Sequence, residues 1–478
     1  MSIHREERNN SMKKIILIVL SLGLFFSCGE KKKSPGAKLN FSNMQLTDEQ
    51  IVDRLKNYDS VIGLNLENTR ITDSGLEYIK KFKELTIISL HGTKVTNTGL
   101  KYLADLKNLT VLSLYDTKVT DAGLVHLKDL KNLKTLELMR TKIGDAGLEC
   151  VKGMNNLEKL GLWNTRITDA GLAYLKDLTR ISLLYLNGTN ITDAGLMYLE
   201  KMTNLKELDL WDTAISDTGL AELAGLKNLN RLCLNGTRVT GEGLQSIKGM
   251  TNLVSLELEQ TKITDNGLLV IEGLSNLKTL NIASTEITDE GLKHIQGLTN
   301  LEILYLANTR ITDRGLEYLK GLTNLIDIFL FETNISGSGL KYLTGMKKLR
   351  TLDLRNTKIT DAKLELIKDM SSLKRLGLWG TPVTDAGLKH IKGLTGMTSL
   401  YLDNTRVSDM GLTCLKGMTS LATLHLASTQ VSNTGLKSLG GFTNLKNLNI
   451  WNTKVTDEGI KDLQKLLPKC KINKSHIL

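Results

Sequence analysis

Apolar residues recur along this chain with a period of 24 positions, and two shorter spacings alternate inside each period. Between Leu157 and Trp163, Leu160 and Leu162 alternate with Lys159, Gly161 and Trp163, which predicts a short strand with one buried face. Further on, Leu172, Leu175 and Leu178 recur every third residue, the spacing of a short helix or a mixed helical and 3₁₀ segment. A threonine marks the junction after each strand, from Thr69, Thr93 and Thr117 to Thr453, seventeen in register with no insertion or deletion. Self-similarity at such a period predicts one supersecondary unit stacked on copies of itself.

The residues between the apolar positions punctuate the elements. Thr168 and Asp169 are placed to accept from the free N–H groups of the first helical turn, where a carboxylate also suits the helix dipole. Aspartate fills this position in thirteen units, with Asn97 and Asn433 as substitutes and Gly241 and Gly337 as exceptions. Gly249, Gly273, Gly297, Gly321 and Gly345 fall where the helices end and predict left-handed caps. The glycine before the first helical leucine, Gly171 in this unit, predicts close approach of neighbouring coils. Only Lys363 breaks that column, which predicts local strain. The in-register threonines predict a ladder of hydroxyls through the interior.

The motif Thr-x-x-[Ile/Val]-Thr-Asp-x-Gly-Leu over residues 61 to 474 resembles the cysteine-containing class of leucine-rich repeat, with Thr in place of Cys. It is also similar to leucine-rich repeat lipoproteins of bacterial envelopes. The resemblance implies an α/β solenoid, a leucine-rich repeat horseshoe with a parallel sheet on the concave face and short helices on the convex face. Residues 46–60 form an N-terminal cap, in which Thr47 and Gln50 give a capping-box signature. The repeats then run over 61–459. Residues 460–478 form a C-terminal cap, with a helix stopped by Pro468 and a last short strand at Cys470 and Ile472.

The N-terminus carries different information. Met12-Lys13-Lys14 and the apolar run from Ile15 to Phe26 form a signal peptide over residues 1–27, too short to span a bilayer, with Met12 as a candidate start. Ser27-Cys28-Gly29 resembles the site at which a bacterial lipoprotein is acylated, which makes Cys28 the lipidation site. Phe25 and Phe26 depart from that pattern, which prefers Leu and a small residue there. Residues 28–45, with Lys31, Lys32 and Lys33, then form a flexible tether. These features predict a membrane-anchored protein of the bacterial cell envelope, in the outer membrane.

A net charge of +11 changes little, because +2 lies in the signal region and +3 in the tether. Much of the rest is a column just after the threonine, including Arg70, Lys94, Lys118, Lys142 and Arg166, which predicts a basic rim along one sheet edge. Neither nucleic-acid binding nor a cofactor is expected. Cys150, Cys233, Cys414 and Cys470 lie too far apart in the array for a disulfide framework or a cysteine metal site. His126, His294 and His390 share one helical column with Tyr78, Tyr102, Tyr174, Tyr198, Tyr318 and Tyr342, a pattern of half-buried rings rather than a metal site. No phosphate loop, zinc motif or nucleophile elbow occurs, so no catalytic residue is assigned.

The outward strand positions collect Tyr115, Trp163, Tyr185 and Trp211 in the first half of the array, and Tyr305, Phe329, Phe331, Trp379, Tyr401 and Trp451 in the second. All four tryptophans of the chain occupy the same place, two residues before the threonine. Aromatics exposed on a sheet face either stack on each other to cover the sheet or serve as anchors for a protein partner, of the envelope or of a host, with neighbouring acids and bases supplying specificity. A glycan is the alternative ligand, since Trp163 and Trp211 lie two units apart, about 10 Å at strand spacing. A passive scaffold is the remaining alternative.

Overall fold

The computed structural model describes residues 36–475. The signal segment and Cys28 lie outside these residues. The chain divides into two compact units, the first ending at Val239 and the second beginning at Thr240. Each is a parallel sheet in which every strand pairs with the next in sequence, with one short helical segment between consecutive strands. The first unit carries nine strands, from Ala37–Asn40 to Arg231–Cys233, and the second ten, from Ser255–Glu257 to Lys471–Asn473.

The alternation read from the sequence sets the register. Lys159 pairs with Leu183, Leu160 with Leu184 and Gly161 with Tyr185, so equivalent positions form columns at strand spacing. Inward leucines such as Leu160, Leu162, Leu172 and Leu175 are fully buried, each worth about 1.5–3 kcal/mol. The helical segments are short and mixed. Asp121–Leu124 is α-helical and continues as 3₁₀ over Val125–Leu127, whereas Gly243–Ile247 is 3₁₀ throughout. Helices this short have no stability alone and hold their shape through the leucines they bury.

The aspartate column does more than cap its own helix. Asp145 accepts at Oδ1 from the backbone N–H of Thr168 in the next coil (2.8 Å) and at Oδ2 from the Thr168 hydroxyl (2.6 Å). Thr168 in turn accepts from Ala170 N–H (3.3 Å), so the threonine caps the helix and the preceding aspartate holds the threonine. The same clamp joins Asp73 to Thr96, Asp289 to Thr312 and Asp385 to Ser408. It also explains the glycine column, because a Cβ at Gly171 would lie 2.3 Å from Asp145 Oδ1. A second ladder runs through asparagines, in which Asn108 and Asn132 donate to the carbonyls of Lys83 and Lys107 one coil earlier.

Four expectations are corrected. Lys363 brings no strain, because the aspartate it would strike is replaced by Gly337, whose own Cβ would lie 2.6 Å from Lys363 Cβ. The threonine hydroxyls do not chain from coil to coil; each donates within its own turn, as Thr165 does to the Leu162 carbonyl at 2.6 Å. The left-handed positions are not Gly249, Gly273, Gly297, Gly321 and Gly345. Left-handed backbone recurs instead at the seventeen residues immediately before the threonines, among them Asn164, Gly188 and even Arg140. Finally, residues 37–45 are not wholly tether. Ala37–Asn40 is a strand paired with Val61–Asn65, and Leu39 and Phe41 are buried.

The N-terminal helix is Asp48–Leu55, with Thr47 N–H donating to Gln50 Oε1 at 3.0 Å. The C-terminal helix, Asp457–Leu466, precedes Lys471–Asn473, which pairs with Asn447–Asn449. Among the described residues no helix is long and apolar enough to cross a membrane.

Candidate functional site

The outward side chains of each sheet stand in three columns. The rings read from the sequence as exposed anchors fall into two groups. Tyr115, Tyr185, Phe329 and Phe331 are buried, at 4–7% exposure, whereas Trp163, Trp211, Tyr305, Trp379, Tyr401 and Trp451 are half-buried. The expectation of ten exposed aromatics is therefore corrected for four of them. The physical reason is the in-register column. A ring about 4.8 Å from the side chains on both neighbouring strands lies down over them and is itself covered.

In the first unit the column before the threonines reads Glu67, His91, Tyr115, Met139, Trp163. Glu67 pairs with His91 Nδ1 at 3.2 Å, and His91 lies against Tyr115 with centroids 4.2 Å apart. Tyr115 reaches across to Trp163 at 6.0 Å. Burial pushes the Tyr115 hydroxyl above its ordinary range. Glu137 sits beside this row. Burial raises its carboxyl, and the opposing hydrogen bond from Ser113 does not bring it back down. Tyr185 donates to Glu207 Oε2 at 3.2 Å, and burial, reinforced by that carboxylate, raises its hydroxyl further. Arg231 and the buried Asp209 approach to 3.6 Å.

The tryptophans of this unit have a distinct seat. Trp163 lies over Gly188 and Trp211 over Gly236, the left-handed residues of the following turns, where a Cβ would meet the indole Cδ1 at 3.7 and 3.6 Å. Each indole thus packs one side on bare backbone and remains half-buried.

In the second unit Tyr305 stacks on Phe329 at 4.5 Å with the planes 4° apart. Phe329 and Phe331 sink among Ala283, Ala307 and Ile303. The Arg355 guanidinium lies 4.8 Å from the Phe331 centroid and grips both oxygens of Asp353, so ring, cation and carboxylate form one buried group. Tyr401 meets His425 edge-on at 4.9 Å, and His425 Nδ1 is 3.5 Å from Asp403. Burial raises the Tyr401 hydroxyl, and Arg375 partly offsets this. His91, Met139, His425 and the two alanines are members of this face that ring-counting in the sequence passes over. The signal for the alanines was available, since small residues beside Phe331 in its column leave the space it fills.

What remains accessible suits recognition by contact. On the other surface, Tyr78, Tyr102, Tyr318 and Tyr342 lie under lysines, as with Lys81 at 4.0 Å from the Tyr78 centroid, and His294 pairs with Glu272 at 2.6 Å. Among the described residues the four cysteines are free, and no group of three or more His, Cys, Asp and Glu side chains could hold a metal ion.

Comparison with known proteins matches the architecture. A family model described as a leucine-rich repeat region matches residues 64–316, and further leucine-rich repeat models match residues 299–359 and 417–440. No curated protein matches the chain. Among solved structures, an internalin (inlF) from Listeria monocytogenes is 22% identical over 84% of this chain and 93% of its own, with a TM-score of 0.47. A leucine-rich repeat protein of Leptospira interrogans is 20% identical over 91% of this chain and 95% of its own, with a TM-score of 0.48. The Arabidopsis receptor kinase HAESA, solved in complex with the peptide hormone IDA and the co-receptor SERK1, is 17% identical. It covers 95% of this chain and 84% of its own, with a TM-score of 0.51.

Proposed function

Because the chain belongs to the leucine-rich repeat family, a fold commonly used as a protein-interaction module, we propose that it is a non-enzymatic recognition protein that binds a protein partner along its sheet face. The observation that carries this reading is the half-burial of Trp163 and Trp211 in the first unit and of Trp379 and Trp451 in the second, on a face where other rings are covered. An indole seated on bare backbone loses little side-chain entropy on binding and presents a wide apolar surface with an N–H at its edge. Such residues dominate interface energetics, at about 2 kcal/mol or more each. Fixed charges on the same faces, Glu207 and Arg231 in the first unit and Asp403 and Arg375 in the second, supply orientation.

The same proposal places the protein in a bacterial envelope, held in the outer membrane by acylation of Cys28. The support is the sequence of the first 29 residues alone, with Gly29 rather than an aspartate after the cysteine.

Affinity capture from envelope extracts tests the reading, with full chain carrying Trp163→Ala and Trp211→Ala, or Trp379→Ala and Trp451→Ala, beside the native protein and a Tyr78→Ala control. A partner protein whose affinity falls more than ten-fold in at least one tryptophan pair, and not in the control, is the expected result. Equal capture by all variants sinks the sheet-face reading, and loss of a glycan in place of a protein transfers it to polysaccharide. In the same extracts Cys28→Ser is expected to move the protein to the soluble fraction; retention in the membrane overturns the lipid anchor.

A further inference from the structure

The residue after each threonine begins a second, shorter parallel ladder. The N–H groups of Lys94, Lys142 and Arg166 donate to Ile71, Val119 and Ile143 one coil earlier, and Thr120 and Lys142 form a parallel bridge. The side chains at this position are therefore held in register at strand spacing, about 4.8 Å. In the first unit Arg70, Lys94, Lys118, Lys142 and Arg166 occupy it in five consecutive coils, and all five are exposed. In the second unit the column alternates, with Lys262, Arg310 and Lys358 separated by Glu286 and Asn334. There Arg310 lies 3.8 Å from Glu286.

The aspartates three residues further on form no ion pair with the first-unit line. Each is half-buried, and Asp73, Asp145 and Asp169 spend both oxygens on the next coil. Among the described residues no carboxylate lies within 4.0 Å of Lys94, Lys118, Lys142 or Arg166, and Arg70 donates only to the neutral Gln45. Cations spaced this closely are within one Debye length, about 8 Å at physiological salt, so they repel unless a polyanion lies along them.

We propose that this line is a binding site for a linear acidic polysaccharide carrying one carboxylate per sugar. The match is one of spacing. Successive sugars of an extended pyranose chain face opposite ways, so a carboxylate returns to one face every second sugar, a repeat close to two strand steps, about 9.6 Å, which puts alternate cations in phase with it. An extended acidic peptide returns to the same face only every 6.8 Å or so, and duplex nucleic acid carries a charge about every 1.7 Å along its axis. On one side the line is flanked by small residues, Ala122, Ala146 and Ala170, and on the other by Asn68, Gly92, Asn164 and the paired Asp116 and Arg140, 3.7 Å apart. The site is separate from the tryptophan column and stands whether or not the sheet face binds a protein.

The test is direct titration of the full chain with oligogalacturonate of at least five sugars, followed by calorimetry or fluorescence anisotropy at several salt concentrations. Binding that weakens with salt is expected, with a loss of at least ten-fold when Lys94, Lys118, Lys142 and Arg166 are changed together to Gln. A variant with Lys262, Lys358, Arg406 and Lys454 changed to Gln removes the same net charge at the alternating column and is expected to bind as the native protein does. Circular dichroism establishes that both variants are folded; were the first-unit variant unfolded, the single Lys118→Gln, with a smaller loss and a shallower salt slope, decides the matter. The proposal is overturned by absence of binding, by equal loss in the two variants, or by equal binding of the uncharged methyl ester. Tighter binding of a single-stranded oligonucleotide or of poly-glutamate at matched charge overturns it as well.

Discussion

Asp145, Thr168 and Gly171 form a three-residue joint in which each member makes sense only with the others. The carboxylate takes the Thr168 N–H and hydroxyl, and the missing side chain of Gly171 is the space the carboxylate occupies. Gly171→Ala places a methyl 2.3 Å from Asp145 Oδ1, which displaces the acid and leaves the half-buried Thr168 donors without it, at a cost of about 1 kcal/mol. Asp145→Gly alone loses the same hydrogen bonds. Adding Gly171→Ala to Asp145→Gly is expected to cost less than Gly171→Ala alone, because the methyl then no longer strikes the carboxylate. The chain already contains that arrangement in Gly337 and Lys363. A double-mutant cycle in urea checks this: additive losses would show that the alanine harms the coil independently of the carboxylate.

At the scale of elements, Asp313 shows what the clamp does for a helical segment. The segment Ser338–Leu343 starts at Gly337, whose φ is 107°. Its first turn presents the N–H groups of Ser336, Gly337 and Gly339 and the Ser336 hydroxyl to this one carboxylate at 2.5–3.0 Å. Burial opposes its ionisation, but these four donors outweigh burial and hold its pKa below the ordinary carboxyl value. A folded pKa below the unfolded one contributes stability that is present above the unfolded value, about 3.9, and is lost as pH falls through the folded value. The stability gap between native protein and Asp313→Asn is therefore expected to be widest at neutral pH and to narrow in acid. A gap independent of pH in urea unfolding would mean the ionised form has no special role.

The same scale shows what the sequence discloses. Strand, helix and register were legible because leucine spacing forces them: Leu160, Leu162 and Leu172 have one buried solution each. The left-handed position before each threonine was half-legible, since Asn, Gly or Asp fills it in twelve of seventeen units while Arg140, Gln260 and Glu332 disguise it. The coil-to-coil clamp was hidden because its two partners lie 23 residues apart and each alone looks like a helix cap. On the face, alternation told that Tyr115 and Phe331 point outward. What covers them depends on His91, Trp163, Ala307 and Arg355 in adjacent coils, a property of columns rather than of strands.

In a molecule built from stacked coils, each coil touches only its neighbours, and stability is close to a sum over neighbouring joints. Joints that lack a bond are then the places where local opening begins. Two coils in the second unit carry glycine in place of the clamping acid, at Gly241 and Gly337, so no carboxylate is offered to Thr264 and Thr360 in the coils that follow. Their counterparts Thr288 and Thr384 donate to Asp265 and Asp361 at 2.8 Å. Loss of one such bond, about 1–1.5 kcal/mol, corresponds to roughly ten-fold in an opening equilibrium. Hydrogen exchange resolved to these segments is therefore expected to show the amides of Thr264 and Thr360 exchanging about ten times faster than those of Thr288 and Thr384. Protection equal at all four positions would mean that leucine packing alone sets the opening energy, and that the aspartate column serves to fix the register of coils without holding them closed.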